Sequence, residues 1–349
     1  MKKPVSAALI GSGALLWAFA AFPVRAQFDP TSALCRNGEC GPVITQTTYA
    51  KRPAYRLSDG KSEAVIVPSL GRVMRWGKVG GPNLLWNAAS VSKNPGDWKN
   101  YGGDKTWLSP QSSWKVLHGS NGWPPDTAFD GTAQKASVLT GGKLKLVSPT
   151  SPRIGIRLER VMSFNERGEF VIEQTAIKTA GAPVRLGLWS ISQSNSPDAV
   201  FLPTSPTSPY KNGFYNLGQA AGVAEQNARI EGNLLRVSPR PLAKSSAKFG
   251  VDAPVSAIVA VKGDLAWLQQ SAKPAGQYPD GSDGAGFPVE VYVNGDPNAY
   301  YVELELLGPL VNLFKGSKMS HTVRWSLHDL PSKNVDDAPT RAAIEALLK

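Results

Sequence analysis

The sequence contains few of the residues that commonly form catalytic or metal sites: two cysteines and three histidines among 349 residues. It has no Gly-x-Ser-x-Gly, no phosphate-binding glycine loop and no His-Glu-x-x-His. Nucleophilic hydrolysis, nucleotide chemistry and zinc proteolysis therefore have no support from motifs. No histidine lies at metal-ligand spacing from another, so we expect neither a metal nor another cofactor.

Runs of like charge and long apolar runs are also scarce. The formal net charge is +11, yet the basic residues are scattered and no five stand together. This pattern is typical of a generally basic surface and argues against a nucleic-acid partner. Beyond the amino terminus no segment is apolar enough to cross a bilayer, so we expect no stable membrane insertion of the mature chain.

The amino terminus has the three parts of a secretory signal. Lys2 and Lys3 precede an apolar stretch that ends at Phe22, and Val24-Arg25-Ala26 offers a small-residue cleavage site. We predict a signal peptide over residues 1–26 and a periplasmic or secreted protein. An uncleaved anchor is the alternative, because the apolar region approaches the length that spans a bilayer.

The two cysteines, Cys35 and Cys40, lie close together in a stretch without apolar periodicity. Their spacing fits neither a redox Cys-x-x-Cys pair nor a zinc site. In an oxidising compartment we expect them to form a disulfide, which would contribute roughly 2–3 kcal/mol by closing a short loop. Two free thiols are the alternative.

The rest of the chain is rich in strand patterns. Apolar residues alternate at 154–158, 184–188 and 302–306, and glycine-containing turn sequences separate such runs. Only the tail, with Asp337 as a possible cap, has helical character. The sequence predicts an all-β sandwich of antiparallel sheets over residues 51–330, after an extension at 27–50 and before a tail and short helix at 331–349.

Three long segments, 94–131, 194–222 and 273–288, are rich in Gly, Pro, Ser, Asn and Asp and read as loops. Six tryptophans lie between Trp76 and Trp123. Sugar rings pack on indoles while polar groups bind their hydroxyls. The candidate sugar contacts in the first segment are Asp104, Lys105, Trp107, Gln111, Trp123 and Asp126. The alternative is that the indoles fill core space beneath a loop.

Two carboxylates alternate with apolar residues near the carboxyl terminus. Strand geometry sends Val302, Leu304 and Leu306 to one face, and Glu303 and Glu305 to the other. These carboxylates could bind sugar hydroxyls or act as a general base, or they could lie on a solvated sheet face. Their spacing on one strand is poor evidence for a glycosidase.

Residues 62–327 resemble a bacterial family of galactose-mutarotase-like, or aldose 1-epimerase-like, β-sandwich proteins. The matching segments are Val67-Pro68-Ser69-Leu70-Gly71-Arg72-Val73, Gly102-Gly103-Asp104-Lys105-Thr106-Trp107-Leu108-Ser109-Pro110-Gln111, Gly122-Trp123-Pro124-Pro125-Asp126, Lys248-Phe249-Gly250, Tyr278-Pro279-Asp280-Gly281 and Glu303-Leu304-Glu305-Leu306-Leu307-Gly308-Pro309, with Trp325. The resemblance implies a supersandwich of antiparallel sheets whose concave face binds carbohydrate. It adds Lys248, Tyr278 and Asp280 to the candidate sugar contacts.

Aldose mutarotases use a glutamate to take the anomeric proton and a histidine to protonate the ring oxygen. The resemblance implies Glu303 or Glu305 as the base, without choosing between them, and His118 as a candidate acid. The segment 189–193 has no histidine where the acid is expected, but offers Trp189 and Gln193 as sugar contacts.

These observations predict an exported carbohydrate-binding protein that recognises a mono- or oligosaccharide, neutral or acidic, through a tryptophan-rich site. The alternatives are an aldose 1-epimerase and an envelope structural or interaction module without catalytic activity.

Overall fold

The computed structural model describes most of the unit Ala33–Lys349. The described residues are 35–36, 39–40, 42–94, 97–118, 122–210, 213–218, 227–238, 246–281, 286–296 and 298–349. The predicted signal peptide at 1–26 lies outside them. Cys35 and Cys40 are described by their backbone, which pairs them directly across a two-stranded sheet. Their disulfide stays a prediction, because their side chains are outside the description.

Nearly all regular structure is β. The first strands are β1 (Cys35–Arg36), β2 (Glu39–Cys40), β3 (Val43–Tyr49), β4 (Arg52–Ser58), β5 (Ser62–Val67), β6 (Arg72–Lys78), β7 (Asp104–Ser109), β8 (Lys135–Leu139), β9 (Lys143–Val147), β10 (Ile156–Phe164), β11 (Phe170–Lys178) and β12 (Val184–Ser194). The later strands are β13 (Ala199–Pro203), β14 (Tyr215–Asn216), β15 (Ala228–Glu231), β16 (Leu234–Val237), β17 (Ala247–Val251), β18 (Ser256–Lys262), β19 (Leu265–Ser271), β20 (Val289–Val293), β21 (Val302–Leu307), β22 (Val311–Leu313) and β23 (Lys318–Asp329).

Two large antiparallel sheets contain all of these strands except β1 and β2. The ten-stranded sheet has the order β15-β16-β13-β18-β19-β23-β11-β10-β9-β8. The eleven-stranded sheet has the order β14-β17-β20-β21-β12-β7-β6-β5-β4-β3, and β22 pairs with β12 beside it. The prediction of an antiparallel β sandwich is confirmed.

The core lies between the two sheets. Alternate residues of many strands, such as Leu304 of β21 and Val323 of β23, are buried in one shared apolar cluster. At its centre the Trp76 ring packs at 5.5 Å from both Phe170 and Trp325. Because side chains alternate along a strand, the intervening residues of β21 point to the opposite face of the eleven-stranded sheet.

Residues 104–109 form the buried strand β7, although the surrounding segment 94–131 reads as a loop. The apolar alternation is absent there because both faces of β7 carry polar residues. Gly102 and Gly103 precede the strand with positive φ values of 87° and 74°. A Cβ atom on either glycine would collide with the carbonyl oxygen of Trp86 or Val73, so the turn into β7 requires both glycines.

In the described ranges, two short helices accompany the sheets. Helix α1 (Trp114–His118) follows a 3₁₀ turn at Gln111–Ser113. Helix α2 (Ala338–Leu347) begins after Asp337, as predicted, and buries Thr340 and Ile344. None of the helices in the described part of the chain has the length and hydropathy needed to cross a membrane.

Candidate functional site

Charged and aromatic side chains collect on the face of the eleven-stranded sheet that points away from the core. They come from the central strands β7, β12, β17, β20 and β21. The other face of β17, β20 and β21 carries apolar core residues, whereas the other face of β7 and β12 carries buried polar residues as well. We call this group the outer-face cluster. Its members are Lys105, Trp107, Trp189, Gln193, Lys248, Glu290, Glu303 and Glu305.

Glu303 is the centre of one half of the cluster. Its Oε1 atom accepts hydrogen bonds from Lys105 Nζ at 3.0 Å and Gln193 Nε2 at 2.9 Å. The Lys105 ammonium also lies 4.7 Å from the centroid of the Trp107 ring. Burial lowers the pKa of Lys105, and the carboxylate of Glu303 opposes that shift. A carboxylate, an ammonium, an amide and an indole therefore meet within one small region.

Lys248 is the centre of the other half. Its Nζ atom lies 2.6 Å from Glu290 Oε2 and 3.1 Å from Glu305 Oε2, and 4.4 Å from the centroid of the Trp189 ring. The Trp189 indole N–H donates to Glu305 Oε2 at 2.8 Å. Glu290 and Glu305 are directly opposite each other on β20 and β21. Two carboxylates therefore share a single ammonium.

Burial dominates the acid–base behaviour of this half. It raises the pKa of both Glu290 and Glu305, although the Lys248 ammonium works in the other direction. Burial disfavours charged Lys248, but the two carboxylates outweigh it and raise the lysine pKa above its ordinary range. Like charges so close cannot both ionise easily, so the pair of carboxylates favours holding one proton.

Indole rings form a wall beside the cluster. Trp107 packs edge-on against Trp189 at 5.5 Å and against Trp114 at 5.4 Å. The indole N–H groups of Trp98 and Trp107 both donate to Asp130 Oδ2 at 3.1 Å. Asp130 also forms a buried ion pair with Arg72, and burial opposes the charge of Asp130 while Arg72 and Lys105 lower its pKa. The wall is thereby fixed by polar contacts as well as by packing.

The cluster is largely enclosed. The Glu305 side chain is only 1% exposed, whereas Glu303 keeps 12% and Lys248 keeps 19% of their side-chain surface. Glu303 and Lys248 are therefore the members through which a ligand from solvent would first touch the charged part of the site. Convergent carboxylate, ammonium and amide groups beside an aromatic wall match the polar and CH surfaces of a sugar.

Most of the predicted site residues meet on this face. Trp123 packs against Trp107 with ring centroids 5.9 Å apart. The predicted residues that belong to the cluster itself are Lys105, Trp107, Trp189, Gln193, Lys248, Glu303 and Glu305. Asp280, at a positive φ of 64°, interacts electrostatically with Lys248, while burial raises its pKa.

Asp104 lies on the opposite face of β7, away from the outer-face cluster. Its carboxylate forms a buried ion pair with Arg160 and accepts a hydrogen bond from Ser192 Oγ at 3.0 Å. Burial raises the pKa of Asp104, and Arg160 works against that shift. The physical reason is the strand period of two: Asp104 and Lys105 are adjacent in sequence and must face opposite sides.

Three other predicted contacts are placed outside the cluster. Asp126 is buried, and it accepts hydrogen bonds from the Ala128 backbone N–H at 2.9 Å in its own loop and from Ser151 Oγ at 2.5 Å in the connection between β9 and β10. Gln111 is exposed at the start of the 3₁₀ turn after β7. The Tyr278 hydroxyl donates to the carbonyl of Pro274, and burial raises its pKa to about 12.

His118 ends helix α1, but its side chain lies outside the description, so its role stays a prediction. Within the described ranges, no three His, Cys, Asp or Glu side chains are grouped so that they could hold a metal ion.

Sequence reasoning missed Glu290, Arg72 and Asp130. Glu290 lies in the alternating segment 289–293, whose period-two pattern places it on the face opposite the valines. That pattern could have revealed it, as it revealed Glu303 and Glu305. Asp130 gave no comparable signal, because its position depends on how a long loop folds over β7.

The fold is similar to solved structures of galactose-mutarotase-like proteins. A protein from Klebsiella pneumoniae subsp. pneumoniae, provisionally assigned as an aldose 1-epimerase, has a TM-score of 0.54 at 10% identity, over 88% of this chain and 91% of that one. A galactose mutarotase-like protein from Lactobacillus casei has a TM-score of 0.51 at 10% identity, over 82% and 100% of the two chains.

A galactose mutarotase-like protein from Clostridium acetobutylicum has a TM-score of 0.50 at 10% identity, over 83% of this chain and 99% of that one. No family model matches the sequence, and no curated protein is significantly similar to it. The chain therefore has the galactose-mutarotase-like fold, as the sequence resemblance implied.

Proposed function

We propose that this protein binds a carbohydrate at the outer-face cluster. The observation that carries the proposal is the convergence of Glu303, Lys105 and Gln193 with the Trp107 and Trp189 indoles on one sheet face. Carboxylate and ammonium groups bind hydroxyls by charge-assisted hydrogen bonds, while indoles cover the CH faces of a sugar ring. The solved proteins that share this fold are mutarotase-like, and this likeness supports a sugar as the ligand.

Calorimetric titration with neutral and uronic-acid sugars tests the proposal, using wild type, Glu303→Gln and the control Glu173→Gln. Glu173 is exposed on β11 in the other sheet. Losing a charge-assisted hydrogen bond should weaken binding by Glu303→Gln about ten-fold or more. The control should bind like wild type, and thermal unfolding should show both variants folded. Absence of binding by wild type, or equal binding by Glu303→Gln, would contradict the proposal.

A second candidate function is aldose 1-epimerisation, which the opposed Glu290 and Glu305 favour. A carboxylate of raised pKa can accept the anomeric proton, and a protonated neighbour can donate one. Polarimetry on freshly dissolved glucose and galactose tests this reaction. Faster mutarotation by wild type but not by Glu305→Gln would support it, whereas an unchanged rate at high protein concentration would remove it.

We also propose that the protein is exported and works in the periplasm or outside the cell. Lys2, Lys3, the apolar stretch and the small residue Ala26 support this location. Amino-terminal sequencing of protein from the periplasmic fraction should begin at Gln27. Protein that stays in the cytosol and starts at Met1 would contradict the proposal.

A further inference from the structure

We infer that the site takes a glycan longer than one sugar ring, and that Trp123 is the platform for the outer ring. The inference rests on the proposed carbohydrate function and specifies its ligand class. Trp123 is 44% exposed, whereas the Trp107, Trp114 and Trp189 rings are buried. A large exposed indole beside an enclosed polar site is a typical anchor for a ligand that extends beyond that site.

The Trp123 ring is held firmly from behind. It packs edge-on against Trp98 at 4.9 Å and Trp107 at 5.9 Å, and lies nearly parallel to Trp114 at 6.3 Å. Trp98 and Trp107 are themselves fixed by hydrogen bonds to Asp130. A ring held in this way loses little conformational freedom on binding, so stacking on it costs little entropy.

The platform and the charged site are joined by Trp107. On one side Trp107 contacts Trp123, and on the other it lies beneath the ammonium of Lys105, which binds Glu303. Trp123 therefore lies beyond the groups that would hold one ring at Glu303. A single sugar bound at Glu303 would leave Trp123 open, whereas a linked second or third ring could cover it.

The test compares monosaccharides with tetrasaccharides. The probes are glucose, galactose, galacturonate, cellotetraose, maltotetraose and tetragalacturonate, titrated by calorimetry into wild type, Trp123→Ala and Trp123→Phe. Phe314→Ala is the matched control, because Phe314 is 56% exposed but lies in the turn between β22 and β23.

We expect at least one tetrasaccharide to bind wild type about ten-fold more tightly than its monosaccharide, an advantage of about 1.4 kcal/mol. Trp123→Ala should remove that advantage and leave monosaccharide affinity within about two-fold, since Trp107 lies between Trp123 and the Lys105 ammonium that binds Glu303. Trp123→Phe should keep part of the affinity advantage of the tetrasaccharide, and Phe314→Ala should keep all of that advantage.

Equal affinity of wild type for each tetrasaccharide and its monosaccharide would overturn the inference and leave carbohydrate binding intact. An advantage that survives Trp123→Ala would also overturn it. Failure of wild type to bind any probe would overturn the proposed function and this inference with it.

Discussion

The two faces of strands β7 and β12 use polar residues in different ways. On the inner face Asp104, Arg160 and Ser192 form a closed polar group between the sheets. On the outer face Lys105, Gln193 and Glu303 form a group of similar chemistry that reaches solvent through Glu303. Adjacent residues of one strand thus join the two sheets and contribute to the surface that we propose binds carbohydrate. The two groups have similar residue types and differ in exposure, and it is the exposure of Glu303 that makes the outer group the candidate for binding.

Breaking the ion pair between Arg160 and Asp104 on the inner face should have the largest effect on stability. Arg160→Met leaves the buried Asp104 carboxylate without its guanidinium, and we expect it to lower the free energy of unfolding by about 3–5 kcal/mol. The control Arg324→Met removes a guanidinium that is 38% exposed and 3.9 Å from Glu169, and should cost less than about 1 kcal/mol. Urea denaturation measures the free energy of unfolding of both variants. Equal losses in the two variants would contradict the expectation that the buried ion pair matters more than the exposed one.

The inner face should also give the protein a pH dependence. His321 is buried between the sheets, and burial lowers its pKa from 6.5 to about 4, against a hydrogen bond to the Leu306 backbone. The unfolded chain therefore binds a proton between pH 6.5 and 4 that the folded chain does not. The contribution of His321 to the free energy of unfolding is therefore complete above pH 6.5. It falls by about 3 kcal/mol as the pH is lowered to 4.

His321→Gln should reduce this pH dependence, because glutamine does not titrate. The measurement is the free energy of unfolding of both proteins at several pH values between 4 and 7.5. The difference between the two curves isolates His321 from the carboxylates. A difference that does not change with pH would show that His321 titrates alike in the folded and unfolded chains.

The smallest effect should come from Gln111, which is exposed after β7 and outside the outer-face cluster. Gln111→Ala should change both sugar affinity and unfolding free energy by less than about 0.5 kcal/mol. Calorimetry and urea denaturation check this. A large loss of affinity would extend the binding surface beyond the cluster and revise the comparison of the two faces.

Much of the fold was accessible from the sequence, because the alternating apolar residues of strands such as β21 mark the face that packs in the core. The same period placed Glu303 and Glu305 together on the other face. Strand β7 was missed, since both of its faces carry polar residues and no apolar alternation appears.

The site was accessible only in part. Asp104 was grouped with Lys105, and Asp126 with Trp123, because they are close in sequence. In the structure Asp104 points inward to Arg160, and the Asp126 carboxylate accepts a hydrogen bond from the backbone of its own loop. Glu290 joins the cluster through the pairing of β20 with β21, a long-range register that the sequence does not state.

Two adjacent residues of β7 test the central claim most directly. Lys105 binds Glu303 on the outer face, whereas Thr106 donates to Gln174 between the sheets. Titration of the best-binding glycan into Lys105→Met and Thr106→Val compares the faces, with thermal unfolding as the check on folding. We expect Lys105→Met to weaken binding about ten-fold or more and Thr106→Val to leave it within about two-fold. Wild-type affinity in Lys105→Met, or an equal loss in Thr106→Val, would contradict a carbohydrate site on the outer face.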